Sequence, residues 1–544
     1  MLPSLPSKPV KSVSSNPLRL AAIDIGTNSV HMILVELRPD LSFHTIDRAK
    51  DMVRIGEGSI TTKVLTRPAM DKGIETLIKF RKLAEAKGVD LQHIVATATS
   101  AVREARNGGD FMELVQAKVG IKTRIITGKE EARLIYIAVR RAIEIGSRKA
   151  LIIDVGGGSV EFIVGDGRKA YLLESKKLGV ARMAEHFNIS DPITQKERRL
   201  MEDYFCDELR PVVKAAKAIG YDFVIASSGT AEAMATMIAL QQSRSPLEGL
   251  NNYTFTRAAF RKVYEKALPV KTAQRKLLRG LDPKRADLIV PGLVLFDVML
   301  RLFETEEVVI SAFALREGIV IDYLQQHSEE FRMRNDYPDV RRRNVMELAA
   351  RCLWDETRSI HVATMALKLF DELQPAHALS PKERELLEYA ALLHNIGYFI
   401  SASSHHKHSY YLIANGELKG FHPDEVQVMA NVARYHRRSL PKNEHPNYHF
   451  LSVRNKYIVR VLASILRVAD GLDRGHNQNV RSLAVKTTSE KIEVRIKTAF
   501  DPEIEIWGAT RKSDLMTEVF AREITVRAEE KRDEGNRDAP GKPM

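Results

Sequence analysis

The chain has 544 residues, 44% apolar and 28% charged, the balance of a soluble globular protein with several cores. Its longest apolar run, Leu288–Phe296, is broken by Pro291 and Gly292 and falls far short of the roughly 18 residues of a membrane helix. Cys206 and Cys352 are the only cysteines, and Lys plus Arg exceed Asp plus Glu by 83 to 70; this excludes a disulfide scaffold, fits a reducing cytoplasm and favours polyanions without choosing one.

Residues 1–17 read as a flexible arm without the apolar stretch of a secretory signal. From Arg19 the pattern predicts a strand through Ile25, a tight turn on Gly26-Thr27-Asn28-Ser29 and a returning strand over Met32–Val35. Residues 70–87 carry Ile74, Leu77 and Ile78 at helical spacing and stop at Gly88. A strand over His93–Ala98 follows, with Thr99 or Ser100 capping a short helix. Arg124–Gly128 reads as strand and turn, and a helix from Lys129 to Ile145 carries Glu130 and Glu131 in its first turn. A later strand, Asp222–Ala226, runs through Ser227-Ser228-Gly229-Thr230 into a helix over 231–239. Strands alternating with helices predict α/β layers.

The pattern repeats itself. Residues 22–35 read AIDIGTNSVHMILV and residues 152–165 read IIDVGGGSVEFIVG, so Asp24, Gly26 and Ser29 meet Asp154, Gly156 and Ser159 at a constant offset of 130. A fold built from two copies of one unit sets its equivalent loops face to face across a cleft. Glycine turns let backbone N–H groups converge on a phosphate oxygen. Ser29, Ser159 and Thr230 would add donors, and Asp24 and Asp154 end strands where a carboxylate can serve a metal ion. One such loop is an ordinary hairpin turn; two matched copies plus Ser-Ser-Gly-Thr favour the phosphate site. Glu131 has two readings, a carboxylate favoured by the helix dipole or one that orients a water. Arg103 is either a phosphate clamp or a surface arginine.

These residues closely resemble the exopolyphosphatase / guanosine pentaphosphatase family, two-lobed members of the actin, heat-shock ATPase and sugar kinase superfamily. The matching stretches are AIDIGTNSVHM (22–32), ATATSAVREARN (96–107), GKEEARLIY (128–136), IDVGGGSVEF (153–162), SSGT (227–230), VPGL (290–293) and ALREG (314–318). The resemblance implies a duplicated actin-like, ribonuclease H-like α/β fold that hydrolyses terminal phosphoanhydrides with Mg²⁺, Mn²⁺ being the alternative ion. It implies that Glu131 activates water and that Asp154 and Glu161 serve the metal. Asp24, Gly26, Thr27, Asn28, Ser29, Arg103, Gly156, Gly157, Gly158, Ser159, Ser228, Gly229 and Thr230 match the phosphate-holding set.

Near residue 325 the character changes. Residues 331–343 hold Arg332, Arg334, Arg341, Arg342 and Arg343, and eleven of the sixteen histidines lie between His361 and His476. ALLHNIGYFI (391–400), HHKHSYYLI (405–413) and ARYHRR (433–438) resemble the HD-like helical domain of the long family members. His361, His394 and Asp470 would serve a metal there, but Asn395 stands where the motif's Asp belongs, a poor ligand for a hard cation. The histidines then either pack inside the domain or, as His405, His406, Lys407, His408, Arg434, His436, Arg437 and Arg438, line a polyanion path. Residues 480–528 predict two strands and a helix near 512–528, and the tail is polar. The expected organisation is an arm (1–17), two lobes (18–145 and 146–325), an HD-like helical domain (326–478), a small α+β domain (479–530) and a disordered tail (531–544). The expected function is removal of terminal orthophosphate from polyphosphate, with guanosine pentaphosphate hydrolysis and a non-catalytic polyphosphate-binding regulator as alternatives. A cytoplasmic homodimer is expected, with no membrane or nucleic-acid partner.

Overall fold

The computed structural model describes residues 18–37, 43–242, 249–327 and 339–529; the arm, the tail, Arg332 and Arg334 lie outside them. Two compact units form, Met1–Arg343 with Lys419–Pro423, and Asn344–Leu418 with Asp424–Met544. Among the described residues, no helix is long and apolar enough to cross a membrane.

The first unit contains the same sheet twice. β1 (Arg19–Ile25), β2 (Val30–Leu37), β3 (Phe43–Asp51), β4 (Ile94–Ala98) and β5 (Lys122–Ile125) assemble in the order β3-β2-β1-β4-β5. β6 (Ala150–Val155), β7 (Val160–Gly165), β8 (Ala170–Lys176), β9 (Phe223–Ser227), β10 (Thr254–Thr256) and β11 (Glu307–Ile310) assemble as β8-β7-β6-β9-β11-β10. The first three strands of each sheet are antiparallel, and the next two join in parallel. β10 adds an antiparallel edge. This is the duplicated arrangement that the repeated motif predicts, and the two-lobed actin-like fold that the family resemblance implies. Hydrophobic runs such as Ala150–Val155 are buried on both faces, as strands covered by helices must be.

The lobes exchange helices. Gly128–Ala142, which ends the first half of the repeat, packs on β7 and β8, and Leu315–His327, which ends the second, packs on β1 and β2. A single core joins Leu20, Ala22, Ile33 and Val35 of one sheet to Ile152, Ile163 and Ile225 of the other through these two helices. These two helices thus tie the lobes together.

The second unit is mostly helical and ends in a small sheet, β12 (Val480–Thr487), β13 (Lys491–Thr498) and β14 (Glu523–Ala528), in the order β12-β13-β14. The expected helix over 512–528 is replaced by two short helices, Glu503–Arg511 and Asp514–Phe520, and by β14. Ile524 and Val526 alternate inward, a period of two that a strand satisfies and a helix does not.

Candidate active site

Each Gly loop closes in the same way. Gly26 N–H donates to the Ser29 carbonyl at 3.1 Å, and Gly156 N–H to the Ser159 carbonyl at 3.1 Å. The loops face each other closely: a Cβ on Gly158 would lie 2.3 Å from Thr27 Oγ1 and 2.6 Å from Ser100 Oγ. Only glycine lets these two backbones approach. Arg182 ties the lobes here, donating to the Gly158 carbonyl at 2.7 Å, to Ser100 Oγ at 3.1 Å and to Glu104 at 2.6 Å.

Between the loops lies a cleft of about 250 Å³. Asp24, Gly26–Ser29, Glu131, Asp154, Gly156–Ser159 and Ser228–Thr230 all line it. Ser228 begins the helix Ser228–Gln242 with φ of 75°, a strained conformation for a residue with a Cβ. The N–H groups of that helix's first turn are available to an anion.

The carboxylates crowd one another. Burial, and then Glu131, push Asp24 up to about 8. Burial raises Glu131 to about 7 against the pull of Arg103, whose Nη1 donates to Oε2 at 2.9 Å. Burial lifts Asp154 to about 6 although Ser227 Oγ donates to its Oδ2 at 2.6 Å. Glu161 is raised by burial, Glu131 and Asp154. Asp24 Oδ1 is shielded from solvent and has no hydrogen-bond partner.

Two expected site residues stand apart from the lining. Glu161 is only 1% exposed and accepts from Ser175 Oγ at 2.7 Å. Arg103 is engaged by Glu131 and the Ile126 carbonyl, so it orients a carboxylate rather than reaching into the cleft. Conversely, His31, Lys50, Glu232, Arg285 and Arg316 line the cleft without having been singled out as site residues in the sequence. Among the described residues, Lys50, Arg285 and Arg316 form no ion pair within 4 Å. Burial and Arg285 push the Lys50 ammonium down. The cleft lining therefore carries both carboxylates and cations. ALREG carried the one available signal, since it places Arg316 in a family motif.

In the helical unit, His394 Nε2 lies 3.4 Å from Asp470 Oδ1. His405, His406 and His436 are buried, so they cannot line a surface path; Lys407 and Arg438 are exposed, and His408, Arg434 and Arg437 are half-buried. His394 Nδ1–H donates to the Ala391 carbonyl and His436 Nδ1–H to the Ala433 carbonyl, both at 2.6 Å. Asp470 is held by Arg358 at 2.9 Å and by Lys512. Among the described residues, no group of three or more His, Cys, Asp or Glu is arranged to hold a metal ion.

Comparison with known proteins places this cleft. Residues 34–327 match the Ppx/GppA phosphatase family model, and residues 340–515 match domain III of the same family. The chain belongs to the Ppx/GppA phosphatase family. It is similar to a guanosine-5'-triphosphate,3'-diphosphate pyrophosphatase from Vibrio vulnificus, 28% identical over 83% of this chain and 87% of that one. Among solved structures, it resembles an exopolyphosphatase from Cytophaga hutchinsonii, with 31% identity, a TM-score of 0.54, and coverage of 57% of this chain and 98% of that one. A family member from Aquifex aeolicus shows 26% identity, a TM-score of 0.50, and coverage of 57% and 99%. The chain is accordingly a phosphoanhydride hydrolase of the Ppx/GppA type.

Proposed function

We propose that the cleft removes terminal orthophosphate from inorganic polyphosphate by in-line attack of water. The observation that carries this reading is Glu131, a buried carboxylate in the cleft wall, poised near neutrality and gripped by Arg103 through one oxygen. A base with a pKa close to the working pH is suited to taking a proton from water. The two Gly loops and the first turn of Ser228–Gln242 would hold the reacting phosphoryl group through backbone N–H groups. Lys50, Arg285 and Arg316 would meet the phosphates behind it. Polyphosphate is itself a good leaving group, so no general acid is assigned.

The crowded carboxylates and the unpartnered Asp24 Oδ1 suit a divalent cation. Asp24 and Asp154 line the cleft and would hold Mg²⁺ or Mn²⁺, with water and phosphate oxygens completing the shell as Mg²⁺ prefers. When bound, the ion offsets charge on the transferring group. Glu161 then acts from behind, fixing Ser159 and Ser175.

The polymer is favoured because, among the described residues, no Phe, Tyr or Trp lines the cleft to stack a base. The second reading, hydrolysis of guanosine pentaphosphate, is supported by the name of the Vibrio relative, which aligns along most of the chain. Phosphate release measured side by side on long polyphosphate, guanosine pentaphosphate and ATP separates them. The polymer is expected to give the highest kcat/KM; a higher value for the nucleotide would transfer the assignment to it.

A further inference from the structure

Ser29 and Ser159 hold equivalent places in the two loops, yet the residue two positions on differs, His31 in one and Glu161 in the other. Both sit opposite the strand-end aspartate of their own hairpin, His31 across from Asp24 and Glu161 across from Asp154. The exchange has a consequence for hydrogen positions.

Arg316 Nη1 lies 3.0 Å from His31 Nδ1. A guanidinium only donates, so Nδ1 is the acceptor and the ring proton sits on Nε2. Nε2 is 2.6 Å from Ser29 Oγ, so the imidazole donates to the hydroxyl. Burial, and then Arg316, hold the ring down to about 2, which keeps it neutral and its tautomer fixed. Ser29 Oγ has already accepted, and its own hydrogen is left for the cleft that it lines. The second loop has no such ring. Glu161 instead accepts from the Ser175 hydroxyl at 2.7 Å.

We propose that Arg316 and His31 are positioning residues that make Ser29 an obligate hydrogen donor to a phosphoryl oxygen. The inference rests on the phosphohydrolase reading above.

A double-mutant cycle on the full chain tests it. Ser29→Ala should lower kcat/KM on polyphosphate by about 10–100-fold, the value of a hydrogen bond to a charged group. His31→Leu should cost nearly as much. His31→Gln should recover most of that loss, because its amide still donates from the position of Nε2. The double variant His31→Leu/Ser29→Ala should be no worse than Ser29→Ala alone, since His31 acts through Ser29. Losses that multiply, or a His31→Gln as poor as His31→Leu, would overturn the relay. The imidazole ¹⁵N spectrum gives an answer free of turnover. The resonances missing from His31→Gln identify His31, and Nδ1 should be bare and Nε2 protonated from pH 6 to 8; the other tautomer, or a charged ring, would overturn the proposal. Absence of phosphate release by the unmutated chain from polyphosphate and guanosine pentaphosphate would sink the functional reading instead, with the spectrum still deciding the relay.

Discussion

Asp154 and Asp470 are equally buried, 5% exposed each, yet their carboxyls move in opposite directions. Asp154, in the cleft of the first unit, rises to about 6 through burial, with only the Ser227 and Ser228 hydroxyls pulling back strongly. Asp470, in the helical unit, stays well below the usual carboxylate range despite burial, because Lys512 and then His394 favour its charge. Arg358 adds a third partner. Desolvation penalises both groups in the same way. In the helical unit the chain supplies the counter-charge itself. In the cleft, among the described residues, Arg103 is the one cation paired with any of Asp24, Glu131, Asp154 and Glu161. A complete ion network is architecture; an incomplete one among crowded carboxylates is where an external ligand fits.

The largest expected effect separates the two regions by chemistry. Glu131→Gln keeps the volume and removes the base, so turnover should fall by about 10²–10⁴. Stability should hold or rise, because a buried carboxylate with a raised pKa is relieved. Near-normal turnover in this variant would remove Glu131 from the mechanism. The helical unit should answer in the opposite sense. Asp470→Asn leaves Lys512 and Arg358 facing a neutral amide, and breaking such a buried pair costs about 3–5 kcal/mol. Denaturant unfolding should show this loss, while turnover per folded molecule stays unchanged. A stable Asp470→Asn variant that loses turnover would mean that the helical unit takes part in the chemistry.

The third test is pH. Asp24, Glu131 and Asp154, raised to about 8, 7 and 6, bind more protons folded than unfolded. Their contribution to stability therefore falls as pH rises through these values. The metal-free chain should melt at lower temperature at pH 8 than at pH 6, and Mg²⁺ should raise the melting temperature more at pH 8, where it replaces the lost protons. A Mg²⁺ shift that is equal at both pH values would argue against these carboxylates as its ligands.

Much of the cleft was legible because the repeat is local. Asp24, Gly26 and Ser29 recur 130 residues on, and hairpins close on themselves, so motif and geometry coincide at both loops. Glu131 was legible as a first-turn carboxylate, but its partner Arg103 was not, because their contact depends on how two helices pack. Arg316 and His31 are 285 residues apart, and no periodicity links them. Lys50 sits near the end of an edge strand whose alternation says nothing about a cleft. The histidines misled in another way. Their clustering reads as function, but His394 and His436 spend their Nδ1–H groups on carbonyls one helical turn back, which composition cannot foresee. β14 was hidden because its six residues follow two short helices with no strong turn between.

The smallest expected effect concerns what remains of the polyanion path. With His405, His406 and His436 buried, and Arg434 set beside the rings of Tyr410 and Tyr435, only Lys407 and Arg438 are fully open to solvent. Exposed cations add to polyanion affinity through counterion release, about one unit of salt slope per phosphate contact. Lys407→Gln with Arg438→Gln should therefore weaken long polyphosphate about threefold and flatten its salt dependence slightly. Tripolyphosphate, whose few phosphates are consumed by the Gly loops and the cations of the cleft, should be unaffected. A loss on both substrates would place these two side chains in the fold rather than on a path. No loss on either would confine substrate contact to the first unit, where the uncompensated charge lies.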